Sequence, residues 1–252
     1  MTARLLRSLP EPQGRADRRR CSELEFGRDL AARYQSLADP LLRPRPVDGV
    51  LRALDVVLAT ALLVPGAPLM AVAALAIRLT SGAPVLYRGE RVGRAGHSFT
   101  MYKLRTLRPD AEDRLRGLQD RELDRLTESE HTYVGRVLRA TQLDELPQLV
   151  NVLRGEMSIV GPRPIRPVFF EELVVDIPQY WQRLVVRPGL TGFAQLRMRR
   201  DTTWAEKLAH DLEYLADRSI RLYVRIVVST AGRLLARTRA ELGRGHGART
   251  EI

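Results

Sequence analysis

The stretch Asp55–Arg78, DVVLATALLVPGAPLMAVAALAIR, decides what kind of fold this chain can adopt. Val56 to Ile77 are 22 residues without a charge, closed at the two ends by Asp55 and Arg78. At about 1.5 Å per residue, such a helix reaches across a bilayer core of about 30 Å. Pro65-Gly66-Ala67-Pro68 lies in its middle, and two prolines three apart remove backbone donors and clash with the preceding turn. Arg43, Arg45 and Arg52 precede the run, and Arg78, Arg88, Arg91 and Arg94 follow it. The positive-inside tendency therefore assigns both ends to the cytoplasmic side. A re-entrant helix hairpin broken at Pro65 and Pro68 meets both facts. A kinked spanning helix and a buried core helix are the alternatives.

On the N-terminal side, residues 1–48 form a polar, Arg-rich extension with five prolines and no sustained hydrophobic period. On the C-terminal side, residues 81–235 read as one cytosolic domain and 236–252 as a basic tail. Pro84–Arg88 and Ser98–Tyr102 have the pattern of short strands around a turn with Gly93 and Gly96. Arg108–His131 carries 8 acids and 5 Arg and reads as a solvated helix or flap. Glu145–Arg154 is an amphipathic helix with Leu146, Leu149, Val150 and Leu153 on one face and Gly155 at its end. Glu206–Ala216 and Ser219–Leu235 are further helices. The last has an arginine stripe and an apolar remainder, which suits either a membrane interface or the domain core. The expected class is α+β, a monotopic membrane protein with a small domain of short helices and few strands.

The whole chain has 252 residues, with 41 Lys+Arg against 30 Asp+Glu and a net charge of +11. Such an excess calls for an anionic partner: nucleic acid, anionic lipid or a phosphorylated substrate. Only Lys103 and Lys207 are lysines, which singles them out, and the one cysteine, Cys21, excludes a disulfide framework or thiolate metal cluster. No P-loop, H-E-x-x-H, C-x-x-C or Asp-x-Asp motif occurs, and the four histidines are scattered. P-loop NTPase, zincin and zinc-finger chemistry therefore fall away, and a histidine-based triad is disfavoured. The uncharged run argues against a nucleic-acid binder.

What remains is DELPQLVNVLRGEMSIVGPRP, Asp144–Pro164. Asp144 and Glu145 stand at a helix start, with Pro147 in the first turn. There they serve as an N-cap and a first-turn acid, or present a nucleophile or metal ligand to a diphosphate at a terminus whose partial positive charge keeps a carboxylate ionised. Fixed cations lie in Gly/Pro-bounded turns around the pair: Lys103 and Arg105 in FTMYKLRT, Arg163 in GPRP and Arg187 in RPGLTG. Together they read as a clamp for phosphate oxygens.

SGAPVLYRGERVGRAGHSFTMYKLRT, LDELPQLVNVLRGEMSIVGPRP and RPGLTGFAQL, in that order, resemble the bacterial sugar transferase family, in its small form of monotopic polyprenyl-phosphate phosphoglycosyl transferases. The resemblance covers about residues 51–230. It implies a re-entrant membrane helix and a catalytic domain on the cytoplasmic face of the bacterial inner membrane. Asp144 would attack the phosphorus bearing the sugar in a UDP-sugar and expel UMP. Glu145 would associate with Mg²⁺, and polyprenyl (undecaprenyl) phosphate would take the phosphosugar. Lys103, Arg105 and Arg163 match basic motif positions, and Arg199 and Asp211 match further active-site residues. The implied setting is the first membrane step of polysaccharide or glycoconjugate assembly. A non-catalytic membrane scaffold for polysaccharide enzymes is the alternative.

Overall fold

The computed structural model describes residues 45–114, 126–197 and 202–247; the polar extension, the middle of the charged stretch and Arg199 lie outside these. Pro46 opens a 36-residue helix, α1 (Pro46–Ser81), at a position where its missing N–H is no loss, and the Arg45 N–H donates to Asp48 Oδ2 at 2.9 Å. The sequence leads one to expect a reversal at Pro65–Pro68. Instead α1 stays helical through both prolines. Packing offsets what the prolines cost: Leu51, Asp55, Ala59, Gly66, Ala73 and Ile77 form a buried stripe, and at Gly66 a β-carbon would stand 3.4 Å from Leu146. The opposite stripe, with Val57, Val64, Val72, Leu75 and Leu79, is exposed.

The rest is a small domain of helices and few strands. Strands β1 (Leu86–Val92) and β2 (Ser98–Leu104) pair antiparallel with Tyr87 opposite Lys103 and Gly89 opposite Met101. Helix α2 (Tyr133–Thr141) begins at Thr132, whose hydroxyl accepts from the Gly135 N–H at 2.9 Å. A β-carbon at Gly135 would overlap the Thr106 carbonyl, so only glycine lets α2 cross the end of the hairpin this closely. A 3₁₀ turn, Leu143–Glu145, leads into α3 (Gln148–Arg154), which Gly155 ends with φ 81°.

Two three-residue strands, β3 (Ser158–Val160) and β4 (Gly189–Thr191), pair in parallel. Between them come α4 (Pro167–Asp176) and a 3₁₀ stretch, Pro178–Val185. Helix α5 (Trp204–Ala216) starts with a Thr203/Glu206 capping box, and α6 (Ile220–Gly247) closes the domain.

The main core joins Leu51 and Ala59 of α1, Phe99 and Met101 of β2, Leu149 and Val152 of α3, and Tyr223 and Ile226 of α6. Burying each of the leucine, valine, isoleucine, phenylalanine and methionine side chains among these contributes about 1.5–3 kcal/mol. The buried face of α3 is rotated from the one its leucines predict. Gln148 and Asn151 are inside, because Asn151 Nδ2 donates to the Thr100 carbonyl at 2.7 Å and its Oδ1 accepts from the Tyr102 N–H, fastening α3 to β2. A second cluster joins Val92, Phe170, Leu173, Tyr180, Leu184 and Leu208, and a third seats Ala73 and Ile77 on Leu104 and Leu138.

Candidate active site

Asp144 and Glu145 lie in the 3₁₀ turn between α2 and α3, not in α3 itself; the Glu145 N–H donates to the Gln142 carbonyl at 3.1 Å. Gln142 makes the change of direction in the left-handed region, with φ 56°. Lys103 reaches the pair from β2 and donates to Glu145 Oε1 at 2.6 Å. Arg163, in the loop after β3, is exposed, and its guanidinium makes no hydrogen bond or ion pair among the described residues. It nevertheless acts electrostatically on Glu145.

The two carboxyls are driven apart. Burial pushes Asp144, 5% exposed, up to about 6; adjacent Glu145 adds to this, while Lys103 and Arg139 pull the other way. Burial would raise Glu145 as well, but Lys103, Arg163 and Arg139 outweigh it and hold it below the usual carboxylate range. The expectation that a helix terminus keeps the nucleophile candidate ionised is corrected for Asp144: α3 starts beyond Pro147, and desolvation dominates. Adjacent acids separated in this way suit two different jobs, an ionised cation-facing group and a more basic nucleophile that is still mostly ionised at pH 7.

The loop bearing Arg163 is fixed by backbone and by a buried ion pair. Gly161 N donates to Thr191 O and Gly189 N to Pro162 O, both at 2.8 Å, and a β-carbon on Gly189 would fall on the Gly161 backbone. The glycines of GPRP and RPGLTG thus serve this close approach of two loops. Arg183 donates to the Arg163 carbonyl at 2.8 Å and pairs with Asp211 at 2.9 Å. Asp211, raised by burial against the pull of Arg183, therefore acts on the site through Arg183 and the loop.

The other expected cations are not brought to the pair. Arg105 Nη2 donates to the Ser81 carbonyl at 2.7 Å and the Gly82 carbonyl at 3.0 Å, closing the C-terminus of α1. Arg187 Nε donates to the Gly155 carbonyl at 2.7 Å, at the far end of α3 from Asp144, beside Arg52, which holds the Val152 and Leu153 carbonyls. Arg199 lies outside the described residues. Sequence reading missed Tyr87 and Arg91, which share with Lys103 one face of the β1–β2 hairpin, and Arg166 at the head of α4. The period-2 alternation Tyr87, Gly89, Arg91 opposite Lys103 is the signal that could have found the first two.

Fold and site define a class: a membrane-associated protein in which an apolar helix lies along a small α+β domain carrying a carboxylate pair, Asp144 buried and Glu145 half-buried, beside placed cations. The chain belongs to the bacterial sugar transferase family, whose family model matches residues 48–237. It is 43% identical over 194 residues to the UDP-glucose:undecaprenyl-phosphate glucose-1-phosphate transferase of Caulobacter vibrioides, covering 73% of this chain and 69% of that one. The Escherichia coli protein of the same name is 38% identical, but the match covers only 41% of its length. The exopolysaccharide production protein PSS of Rhizobium leguminosarum is 38% identical over 207 residues, 78% of this chain and 96% of that protein.

Proposed function

We propose that this protein transfers a phosphosugar from a UDP-sugar to undecaprenyl phosphate. The observation that carries the reading is the split carboxylate pair, Asp144 against Glu145 with Lys103 and Arg163, in a chain of this family. An Asp144 carboxylate oxygen attacks the sugar-bearing phosphorus, the bond to the bridging oxygen breaks, and UMP leaves. A phosphate oxygen of the lipid then attacks the same phosphorus, giving the polyprenyl-diphosphate sugar and returning the Asp144 carboxylate. The covalent stage divides one difficult displacement into two. Lys103 and Arg163 neutralise charge on the oxygens of the donor diphosphate.

The donor set fits Mg²⁺, which takes one or two carboxylates and completes its shell with water and substrate phosphates. Glu145 would hold it, exchanging the Lys103 contact for the ion. When bound, the ion supplies charge stabilisation to the diphosphate.

Both ends of α1 belong on the cytoplasmic side. Its first half is tied to the domain by Arg52 on Val152 and by Asp55, which accepts from the Ile159 N–H at 2.8 Å; its last turn is tied by Arg105. The exposed stripe of α1 then sinks into the inner-membrane leaflet from that side, the helix lying along the membrane surface without reversing.

The decisive test is purified full-length protein in detergent with Mg²⁺, undecaprenyl phosphate and a panel of UDP-sugars. UMP release with at least one sugar supports the reading, and none with any favours the scaffold. Asp144→Asn is expected to abolish turnover and to retain no radiolabelled phosphosugar after denaturation; labelling of that variant would move the nucleophile elsewhere.

A further inference from the structure

Beyond the carboxylate pair, the domain gathers arginines in one place. Strand β1 ends in a bridge to the loop after β3, with Val92 N donating to Ile165 O at 2.9 Å, and this sets Arg91 beside Arg163 and Arg166. The Tyr87 hydroxyl takes the Nη2 atoms of both Arg91, at 3.5 Å, and Arg166, at 3.4 Å. Gly89 lies between Tyr87 and Arg91, and a β-carbon there would collide with the Tyr87 hydroxyl and stand 2.8 Å from Arg91 Nη1. The guanidinium of Arg91 therefore folds back across a bare glycine toward Tyr87, held by the Glu90 carbonyl at 2.7 Å. Tyr87 faces Lys103 across the hairpin, and Lys103 holds Glu145. The arginine cluster thus adjoins the carboxylate pair, with Arg163 acting electrostatically on both Glu145 and Arg91.

Gathering guanidiniums costs free energy through mutual repulsion. Burial, and after it Arg166 and Arg163, disfavour the charged form of Arg91. A dianion relieves that repulsion, and a phosphate matches guanidinium forks in geometry. The head of α4 at Arg166 adds the partial positive charge of a ten-residue helix.

We propose that Arg91, Arg163 and Arg166 around the Tyr87 hydroxyl form a second phosphate subsite, which holds the α-phosphate of the nucleoside diphosphate while the sugar-bearing phosphorus faces Asp144. This rests on the transfer reaction above. When the bond to the bridging oxygen breaks, negative charge collects on the departing nucleoside monophosphate, where these arginines neutralise it. The subsite is thus a leaving-group site, distinct from Lys103 and Glu145 on the attacked phosphoryl group.

The test uses the full-length protein in detergent and UMP as the probe. UMP is expected to bind and uridine to bind at least tenfold more weakly; Arg91→Gln and Arg166→Gln are each expected to weaken UMP at least tenfold with uridine unchanged. In turnover the donor KM rises while the acceptor KM stays within twofold. A rise confined to the acceptor KM would assign the cluster to the lipid phosphate and overturn the proposal. In wild-type protein, whatever the fate of the variants, UMP but not uridine should protect Arg91 and Arg166 from phenylglyoxal, read by mass spectrometry; equal modification with and without UMP overturns it. Asp144→Asn should bind UMP as wild type does; arginine-dependent UMP binding by wild-type protein that turns over none of the UDP-sugars would sink the transfer reading and leave the subsite standing.

Discussion

Asp144 and Glu145 are neighbours in sequence with opposite electrostatic fates, and a pH profile reads that difference directly. As the proposed nucleophile, Asp144 must be ionised to attack, and burial pushes its carboxyl up to about 6, so UMP formation at low donor concentration should fall about tenfold per unit below that pH. Lys103→Met removes the leading counter-charge from both acids, so the acidic limb should move to higher pH as well as the rate dropping; an unmoved limb would mean that another group titrates. The same burial has a stability consequence. A carboxyl raised from 3.8 to about 6 makes the folded state bind more protons than the unfolded state in that window, so its contribution is full below 3.8 and is lost as pH rises through 6. Asp144→Asn should therefore stabilise the protein by about 3 kcal/mol at pH 7.5 and hardly at all below pH 4, by denaturant melts at both pH values. At this scale the sequence reveals the pair and Lys103 but not the destinations of Arg105 and Arg187. Motif spacing shows that a cation sits in a turn, yet not whether its guanidinium faces a substrate or the bare carbonyls of a helix end.

Among the elements, the hairpin, α3, α5 and α6 are legible because their apolar periods or Gly-bounded turns are local. Strands β3 and β4 are three residues each, too short for a period, and they exist through the approach of Gly161 to Gly189. The rotated face of α3 is hidden for a related reason, since Asn151 is buried by its bonds to β2 and not by its hydrophobicity. The Arg183–Asp211 pair shows what such tertiary links do. It is nearly inaccessible, and Arg183 also carries the Arg163 carbonyl. Asp211→Ala leaves an uncompensated buried guanidinium and should cost about 3–5 kcal/mol. Asp211→Asn keeps the shape and one acceptor, so it should retain more stability while still loosening the Arg163 loop. Its donor KM should then rise out of proportion to its change in melting temperature; a KM equal to wild type would restrict Asp211 to a structural part.

For the whole molecule, the question is how a helix long enough to cross a bilayer serves a domain fastened to both its ends. At about 1.5 Å per residue, α1 measures about 54 Å, well beyond a bilayer core of about 30 Å. Were it to cross, Asp55 and the last turn at Ser81 would lie toward opposite leaflets, and the domain that bonds to both would have to follow it through the hydrocarbon. Asp55 accepts from Ser158, Ile159 and Tyr223, and Arg105 donates to Ser81 and Gly82, so releasing either end strands several buried polar groups at about 1–3 kcal/mol each. The cheaper arrangement keeps the domain in water and sinks only the exposed stripe of Val57, Val64, Val72, Leu75 and Leu79, with exposed Val224, Val228 and Leu235 of α6 as further apolar surface. The charge distribution agrees: from Arg218 onward 8 Arg oppose 2 acids, which suits an anionic leaflet. Single cysteines placed before Arg52 and after Arg78, in a Cys21→Ser background, should both react with a membrane-impermeant thiol reagent only when the cytoplasmic side is opened. Reaction of one from each side would establish a spanning helix, and then the bonds at Asp55 and Arg105 could not coexist in the membrane-bound protein.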